Sequence, residues 1–284
     1  MIKKKEDNHD IIKKSLNRAL GGGLSGAAAM GIQVSSLMWL RTTMNYQYRY
    51  GTSTTQALKH LYNDGGIRRF YRGFGPAIFQ GPLSRFGDTA TNTGIIVLLD
   101  SYESTRNLPV SIKTLAASST AALWRIVIMP IDTCKTILQV EGKNGINILK
   151  NKMRTYGPVS LYHGSLGASA ATLVGHYPWF FTYNYLNQTI PEYDSTLKTL
   201  ARNGFIGFSS SVVSDCTSNS IRVIKTTRQT FDKPISYIDT IKHVINKDGV
   251  AGLFGRGLQT RIIANGCQGI MFSILWKYFQ SKFN

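Results

Sequence analysis

The sequence predicts an all-α fold made of three tandem repeats, each consisting of a long helix, a short helix and a second long helix. Two observations lead to this prediction. Two different sequence blocks recur with one shared period, and each repeat opens with small residues followed by an apolar stretch. Two independent blocks that share a period indicate repetition more firmly than a single motif does.

One block ends in a glycine just before the second long helix of each repeat. Its clearest copy is Asp64-Gly-Gly-Ile-Arg-Arg-Phe-Tyr-Arg-Gly73. It recurs at Asp248-Gly-Val-Ala-Gly-Leu-Phe-Gly-Arg-Gly257, and a more divergent copy, Thr155-Tyr-Gly-Pro-Val-Ser-Leu-Tyr-His-Gly164, lies between them. The final glycines are 91 residues apart from 73 to 164 and 93 residues apart from 164 to 257.

The other block is most complete at Pro130-Ile-Asp-Thr-Cys-Lys-Thr-Ile-Leu-Gln139, and its copies cover 36–45 and 220–229. Their starts are 94 residues apart from 36 to 130 and 90 residues apart from 130 to 220. Proline removes a backbone donor and clashes with the preceding turn, so Pro130 is expected to kink its helix.

These blocks resemble those of the mitochondrial carrier family: Pro-x-Asp/Glu-x-x-Lys/Arg followed by Gln, and Asp/Glu-Gly followed by aromatic-Lys/Arg-Gly. The first is complete only in repeat two, so the chain is identified as a divergent member with degenerate gate motifs. The resemblance implies six tilted transmembrane helices and three short matrix helices about a pseudo-threefold axis, multi-pass in the mitochondrial inner membrane. It divides the chain into an N-terminal tail at 1–14 and repeats at 15–107, 108–193 and 194–284.

In that family, acids and bases of the first block form salt bridges that close the matrix side of a central cavity. The base positions here are Arg41, Lys135 and Lys225. The acid positions are Met38, Asp132 and Arg222. Because one acid cannot pair with four bases, we expect Asp132 to pair with Arg41 or Lys225. Arg222 is expected either to turn aside or to meet an anion from a lipid or a partner. The glutamine positions of the gate are Asn45, Gln139 and Gln229.

The resemblance places substrate contact points seven residues after each closing glycine. These positions are uncharged: Gln80, Ala171 with its neighbour Thr172, and Ala264. Since the run of Arg and Met typical of the ADP/ATP carrier is also missing after Arg222, an ADP/ATP carrier is excluded.

Two charges are expected at cavity depth. Arg125 and Asp215 lie seven residues before Asp132 and Arg222, so each shares a helix face with its gate position. They form either a zwitterion site or a salt bridge between two helices, because ionisable groups inside a membrane face a cavity or each other. His176 either adds polarity to the cavity or forms an interhelical hydrogen bond.

The aromatic-base-glycine motifs are expected at helix N-termini, whose free N–H groups suit a lipid phosphate. In the family these are cardiolipin sites, so cardiolipin or another anionic lipid is an expected partner. The residues concerned are Arg72, Gly73, Gly164, Arg256 and Gly257.

The composition narrows the remaining function classes. Lys and Arg number 33 against 15 Asp and Glu, a formal charge of +18. Carriers of this family are often basic, and the chain has no nucleic-acid motif, so no nucleic-acid partner is expected. The absence of a nucleotide fingerprint, a catalytic triad spacing and a metal-ligand cluster predicts no enzyme, cofactor or metal site. No apolar run reaches about 18 residues, so hydropathy alone predicts no simple membrane span.

Two functions remain open. The first is a solute carrier that moves a small metabolite by alternating access. The second is a non-transporting carrier-fold subunit of a large inner-membrane assembly, such as a respiratory-chain complex or supercomplex, with respiratory-complex subunits as partners. The incomplete gate favours the second, whereas the family as a whole favours the first.

Overall fold

The computed structural model describes residues 30–193 and 195–283, and the described part is helical without a strand. The predicted tail at 1–14 and the small residues that open repeat one lie outside the described residues. The three repeats each contribute a long helical segment, a short helix and a second long helix, as the sequence predicts.

The helix bounds follow the repeats. In repeat one, α1 covers 30–50, α2 is Thr54–Phe70, α3 is Phe74–Ser101 and the single-turn α4 is Glu103–Arg106. In repeat two, α5 is Val110–Val127, α6 is Met129–Glu141, α7 is Gly145–Tyr156 and α8 is Ser165–Thr189, with 3-10 turns at Gly142–Asn144 and Pro158–Tyr162. In repeat three, α9 is Thr196–Thr230, α10 is Tyr237–Gly255 and α11 is Leu258–Phe283.

The break between α5 and α6 is where the sequence predicts a kink. Pro130 lies in the first turn of α6, where its missing N–H needs no partner, and Ile128 is the residue at which α5 ends. The equivalent long helices α1 and α9 carry serine at this position, Ser36 and Ser220, and continue without interruption.

The long helices pack in chain order and close into a ring. α1 packs on α3 through Val34 and Ala77. Contacts continue from α3 to α5, from α5 to α8, from α8 to α9 and from α9 to α11. The ring closes where Ala264 of α11 packs on Leu37 and Leu40 of α1.

The closing glycines repeat one packing contact three times. They have positive φ angles of 81°, 95° and 66°, which favour glycine: Gly73, Gly164 and Gly257. They abut backbone carbonyls of the next repeat's first long helix, at Lys135, Lys225 and Met44 respectively. A β-carbon would lie between 3.0 and 3.3 Å from these oxygens, so the three repeats contact one another in a cyclic order.

The polarity of the described surface is inverted relative to a water-soluble domain. Buried polar side chains outnumber buried apolar ones, and Thr227, Asn219 and Gln229 are fully enclosed. Large apolar side chains face outward instead, with Leu115 and Phe181 each 62% exposed.

Hydropathy by itself does not resolve the spans. Among the described residues, no single helix is long and apolar enough to cross a membrane. One bent pair, Val110–Val127 with Met129–Tyr156 at 64°, passes that test.

Candidate functional site: a central cavity and its closed end

The ring encloses a cavity of about 400 Å³, and all six long helical segments contribute to its wall. The residues predicted to contact a substrate lie on this wall: Gln80, Ala171, Thr172 and Ala264. Arg125 and His176 lie on it as well. The seven-residue spacing after each closing glycine therefore locates one side of the cavity in every repeat.

The closed end is the name given to the end of the cavity where side chains of different repeats are bridged at Asp132. The side chain of Asp132 is 9% exposed; one carboxylate oxygen accepts from Nζ of Lys225 at 2.5 Å and the other from Nζ of Lys135 at 2.7 Å. Lys225 belongs to repeat three, so Asp132 pairs with a base of another repeat, one of the two partners that the sequence predicts.

Lys135 shares Asp132 because the acid position of repeat one is apolar. That position holds Met38, which is fully buried against Val34 and Ala77. Lys135 therefore turns to the acid on its own helix and donates a further hydrogen bond to Oε1 of Gln80 at 3.0 Å.

Arg41 and Arg222 have no carboxylate partner among the described residues. Nη2 of Arg41 lies 3.6 Å from the sulfur of Met30, and its buried Nε meets no acceptor in the part of the chain described. Arg222 turns aside, as expected, and its Nε donates to Oγ of Ser218 at 3.2 Å. Both arginines line the cavity.

The glutamine positions tie the repeats together beside Asp132. Nδ2 of Asn45 donates to Oε1 of Gln139 at 2.7 Å, which joins repeats one and two. Nε2 of Gln229 donates to Asp132 at 3.3 Å and to the hydroxyl of Thr133 at 3.1 Å, which joins repeats three and two.

The interpretation of Arg125 and Asp215 as a salt bridge is wrong. Arg125 pairs with Asp88 of α3 at 2.6 Å, and it also donates to the hydroxyl of Ser84. Asp215, 3% exposed, pairs with Arg261 at 2.5 Å and accepts from Asn265.

Asp215 also does not line the cavity, since Arg261 and Asn265 of α11 stand on the wall in front of it. With both charges already paired, the Arg125–Asp215 zwitterion site loses its acceptor for an ammonium group. Sequence reasoning missed Arg261, although it lies one helical turn before Ala264 and therefore on the same face.

His176 forms the interhelical contact that was one of its two interpretations. Its Nδ1 lies 2.7 Å from the hydroxyl of Ser118, linking α8 to α5, while the ring still borders the cavity. Thr172 donates its hydroxyl to the carbonyl of Ala168, one turn earlier in α8.

The proposed lipid positions differ in what their side chains do. Gly73 and Gly164 are the N-caps of α3 and α8, and neither cap carries a side-chain hydrogen bond. Arg256 is only 5% exposed, and its Nε pairs with Asp248 at 2.7 Å. Its guanidinium is therefore committed within the protein, which contradicts the expectation that the Arg256 side chain is free to bind a lipid phosphate.

A cation from each short-helix region caps the carbonyl end of the next repeat's long helix. Arg69 donates to the carbonyls of Gln139 and Val140, both at 2.7 Å. Lys152 donates to that of Gln229 at 2.8 Å, and Arg256 to that of Tyr48 at 3.3 Å. The last carbonyls of a helix lack intrahelical partners and form its negative dipole end. These cations therefore donate to the unpaired carbonyls and also interact favourably with the dipole.

Lys152 makes one of these capping contacts sensitive to pH. Burial lowers the pKa of Lys152 to about 8 from its usual value of 10.5. The unfolded chain then binds more protons between about pH 8 and 10.5, so stability from this group rises with pH through that window. We expect Lys152→Met to flatten the rise by up to about 1.4 kcal/mol per pH unit.

Thermal unfolding of wild type and Lys152→Met in detergent from pH 7 to 10.5 measures this difference. Lys150→Met, which removes an exposed lysine from the same helix, is the matched control. Parallel pH profiles for wild type and Lys152→Met would contradict the assignment.

A closed ring of three helical repeats around a polar cavity defines a carrier-type architecture. The sequence profile of the family described as "Mitochondrial carrier protein" matches residues 13–98, 106–194 and 197–283. The chain therefore belongs to the mitochondrial carrier family, whose members are transporters and not enzymes.

Individual relatives are similar over shorter lengths. A mitochondrial glycine transporter of Vanderwaltozyma polyspora is 29% identical over 174 residues, covering 52% of this chain and 53% of the relative. A mitochondrial thiamine pyrophosphate carrier 1 of Lodderomyces elongisporus is 21% identical over 179 residues, covering 57% of each. The mitochondrial glycine transporter of Saccharomyces cerevisiae strain S288c is 26% identical, covering 52% of each. The chain thus spans about half the length of the curated relatives it matches.

Proposed function

We propose that this protein is a multi-pass solute carrier of the mitochondrial inner membrane. Its six long helical segments cross the membrane at a tilt about a pseudo-threefold axis, and its short helices lie on the matrix side. It moves a small metabolite other than ADP or ATP through the central cavity by alternating access.

The burial of polar side chains and the exposure of apolar ones support the proposed location in a membrane. In a bilayer, apolar side chains can face lipid without cost, whereas polar groups must find partners inside the protein. Leu115 and Phe181 face outward while charged pairs such as Lys225–Asp132 are enclosed. This distribution explains how helices of moderate hydropathy are accommodated.

The cavity and its closed end support the transport part. Gln80, Arg125 and His176 line the same cavity as the salt bridge between Asp132 and Lys225, so a substrate in the cavity lies against both. Opening towards the matrix requires that bridge and the Asn45–Gln139 hydrogen bond to separate. The conformational change is then a rearrangement of these inter-repeat contacts.

Anionic lipid, with cardiolipin as the family ligand, is the partner we propose for the start of α11. A second cavity lies where the start of α2 meets the start of α11, and Gly51, Thr54 and Gly257 line it. Free N–H groups at a helix start and a nearby opening suit a phosphate.

Uptake into liposomes tests the proposed transport. We expect saturable uptake that depends on internal counter-substrate for at least one solute among glycine, thiamine pyrophosphate and small dicarboxylates. Arg125→Gln should lower the uptake rate at least about tenfold, because it removes a cation from the cavity wall and leaves Asp88 unpaired. Arg154→Gln, an exposed change on α7, should match wild type.

Native electrophoresis of solubilised mitochondria separates this function from the structural alternative, which the comparisons do not support. A carrier should migrate as a small species. Comigration with a respiratory complex, together with no uptake of any solute tested, would overturn the transport proposal.

A further inference from the structure

The observed salt bridge defines which positions meet at the closed end. Asp132 occupies the acid position of repeat two and pairs with Lys225 at the base position of repeat three. Advancing by one repeat places the acid position of repeat three opposite the base position of repeat one. Those positions hold Arg222 and Arg41, so neither position supplies an acid to the other.

Both arginines contact neutral groups. Arg41 lies against the sulfur of Met30, and Arg222 lies against the hydroxyl of Ser218. Neither contact supplies a negative charge. Asp132 cannot compensate the two arginines, because its single negative charge is already shared by Lys135 and Lys225.

Each neighbouring carboxylate is already paired with one cation. Asp88 pairs with Arg125 through Oδ2, while its buried Oδ1 has no hydrogen-bond partner among the described residues. Asp215 pairs with Arg261 and accepts from Asn265. Among the described residues on the cavity wall, Arg41, Arg222 and the more exposed Arg85 have no carboxylate partner, and the cluster of Asp132 with two lysines carries one further positive charge. Unpaired guanidinium groups in a partly dry site are costly, and a bound anion offsets that cost.

We propose that the ligand of this cavity is a small dianion whose two negative groups bind Arg41 of α1 and Arg222 of α9. This inference rests on the proposed carrier function and names the substrate class. Guanidinium groups bind carboxylates and phosphates through paired N–H donors, so a dicarboxylate and a pyrophosphate share the required chemistry. The gate lacks negative charge because Met38 and Arg222 occupy two of its three acid positions. The bound dianion supplies that charge.

A zwitterion such as glycine fits this site poorly. Its carboxylate could bind one arginine, but its ammonium group would meet a surplus of cations and no unoccupied carboxylate on the described wall. The dianion also has a mechanical effect, since it joins helices of repeats one and three in the way that Asp132 joins repeats two and three.

The test is thermal unfolding of the full-length protein in lipid-free detergent with sodium pyrophosphate, sodium succinate, glycine, or sodium chloride at matched ionic strength. We expect pyrophosphate or succinate to raise the midpoint by about 5 °C when saturating, and glycine and chloride to leave it unchanged. The two dianions distinguish a phosphate from a carboxylate ligand.

Variants assign the effect to the two arginines. Arg41→Gln and Arg222→Gln should lose the dianion response, whereas Arg154→Gln on α7 should retain it. Arg222→Asp should unfold at a higher temperature than wild type without any added dianion, because Asp at this position can pair with Arg41. It should also no longer respond to the dianions.

Three outcomes would overturn the inference: no stabilisation of wild type by either dianion, equal stabilisation by glycine, or an unchanged response in a folded Arg222→Asp protein. The outcome is independent of liposome uptake. A protein that transports a solute but ignores dianions refutes the inference alone, and one that binds dianions but transports nothing refutes the carrier function alone.

Discussion

Asp132→Asn is expected to destabilise the protein by ~3–5 kcal/mol and to lower its unfolding midpoint by roughly 10 °C. Asp132 contacts both Lys135 and Lys225 at 2.7 and 2.5 Å, its side chain is only 9% exposed, and it is the one carboxylate that the described residues offer to these two lysines. Asparagine preserves the shape but removes the charge. Two buried ammonium groups would then face each other and the nearby arginines without a carboxylate.

The double variant Asp132→Asn with Lys225→Met is the matched control, because it removes one of the two orphaned cations. We expect it to be more stable than Asp132→Asn alone, since coupling between residues in contact makes their effects non-additive. Midpoints of detergent-solubilised protein at a fixed heating rate measure the difference. If the double variant is less stable than Asp132→Asn by the full cost of Lys225→Met alone, the salt bridge between Asp132 and Lys225 contributes no net stability.

Arg69→Gln is expected to cost about 2–4 kcal/mol, because it leaves the carbonyls of Gln139 and Val140 without their charged donor. The contribution of Asp64 to this effect is small. Although it pairs with Arg69 at 2.5 Å, its side chain is 50% exposed, and exposed ion pairs contribute little. The two carbonyl contacts, both buried at 2.7 Å, carry most of the effect.

Arg72→Gln, three residues further along, tests whether the loss of any arginine in this block lowers stability or only the loss of Arg69. The resemblance points to Arg72 as the functional base of this block, whereas the structure shows Arg69 making the inter-repeat contacts. In lipid-free detergent we expect Arg72→Gln to change stability by no more than about 0.5 kcal/mol. Similar losses of stability in Arg69→Gln and Arg72→Gln would refute the assignment of the inter-repeat contact to Arg69.

Local chemistry made several features of the fold predictable. Pro130 breaks its helix wherever it is placed in space, because the missing N–H and the ring clash act within one turn. The closing glycines were likewise predictable as a repeated element, since a positive φ restricts the choice of residue. The cavity-facing positions Gln80 and Ala171 came from the resemblance to the carrier family, which places contact points seven residues after each closing glycine.

Partner choice among charged side chains was not predictable in the same way. Arg125 and Asp215 stand at equivalent depths in repeats two and three, which suggested a pair, yet Asp88 and Arg261 lie closer to them. An ion pair forms between groups within about 4 Å, and sequence spacing does not resolve distances between helices at that scale.

The sequence by itself determined the three repeats, the order of long and short helices, the kink at Pro130 and the shortage of acids in the gate. These properties reside in residue type and spacing. Only the tertiary structure decided that Lys135 and Lys225 share Asp132, that Arg41 and Arg222 remain without a carboxylate, and that Arg69, Lys152 and Arg256 cap neighbouring helices. Those contacts join residues that are 70 or more positions apart, with the exception of Lys135 and Asp132, so they depend on how the ring closes.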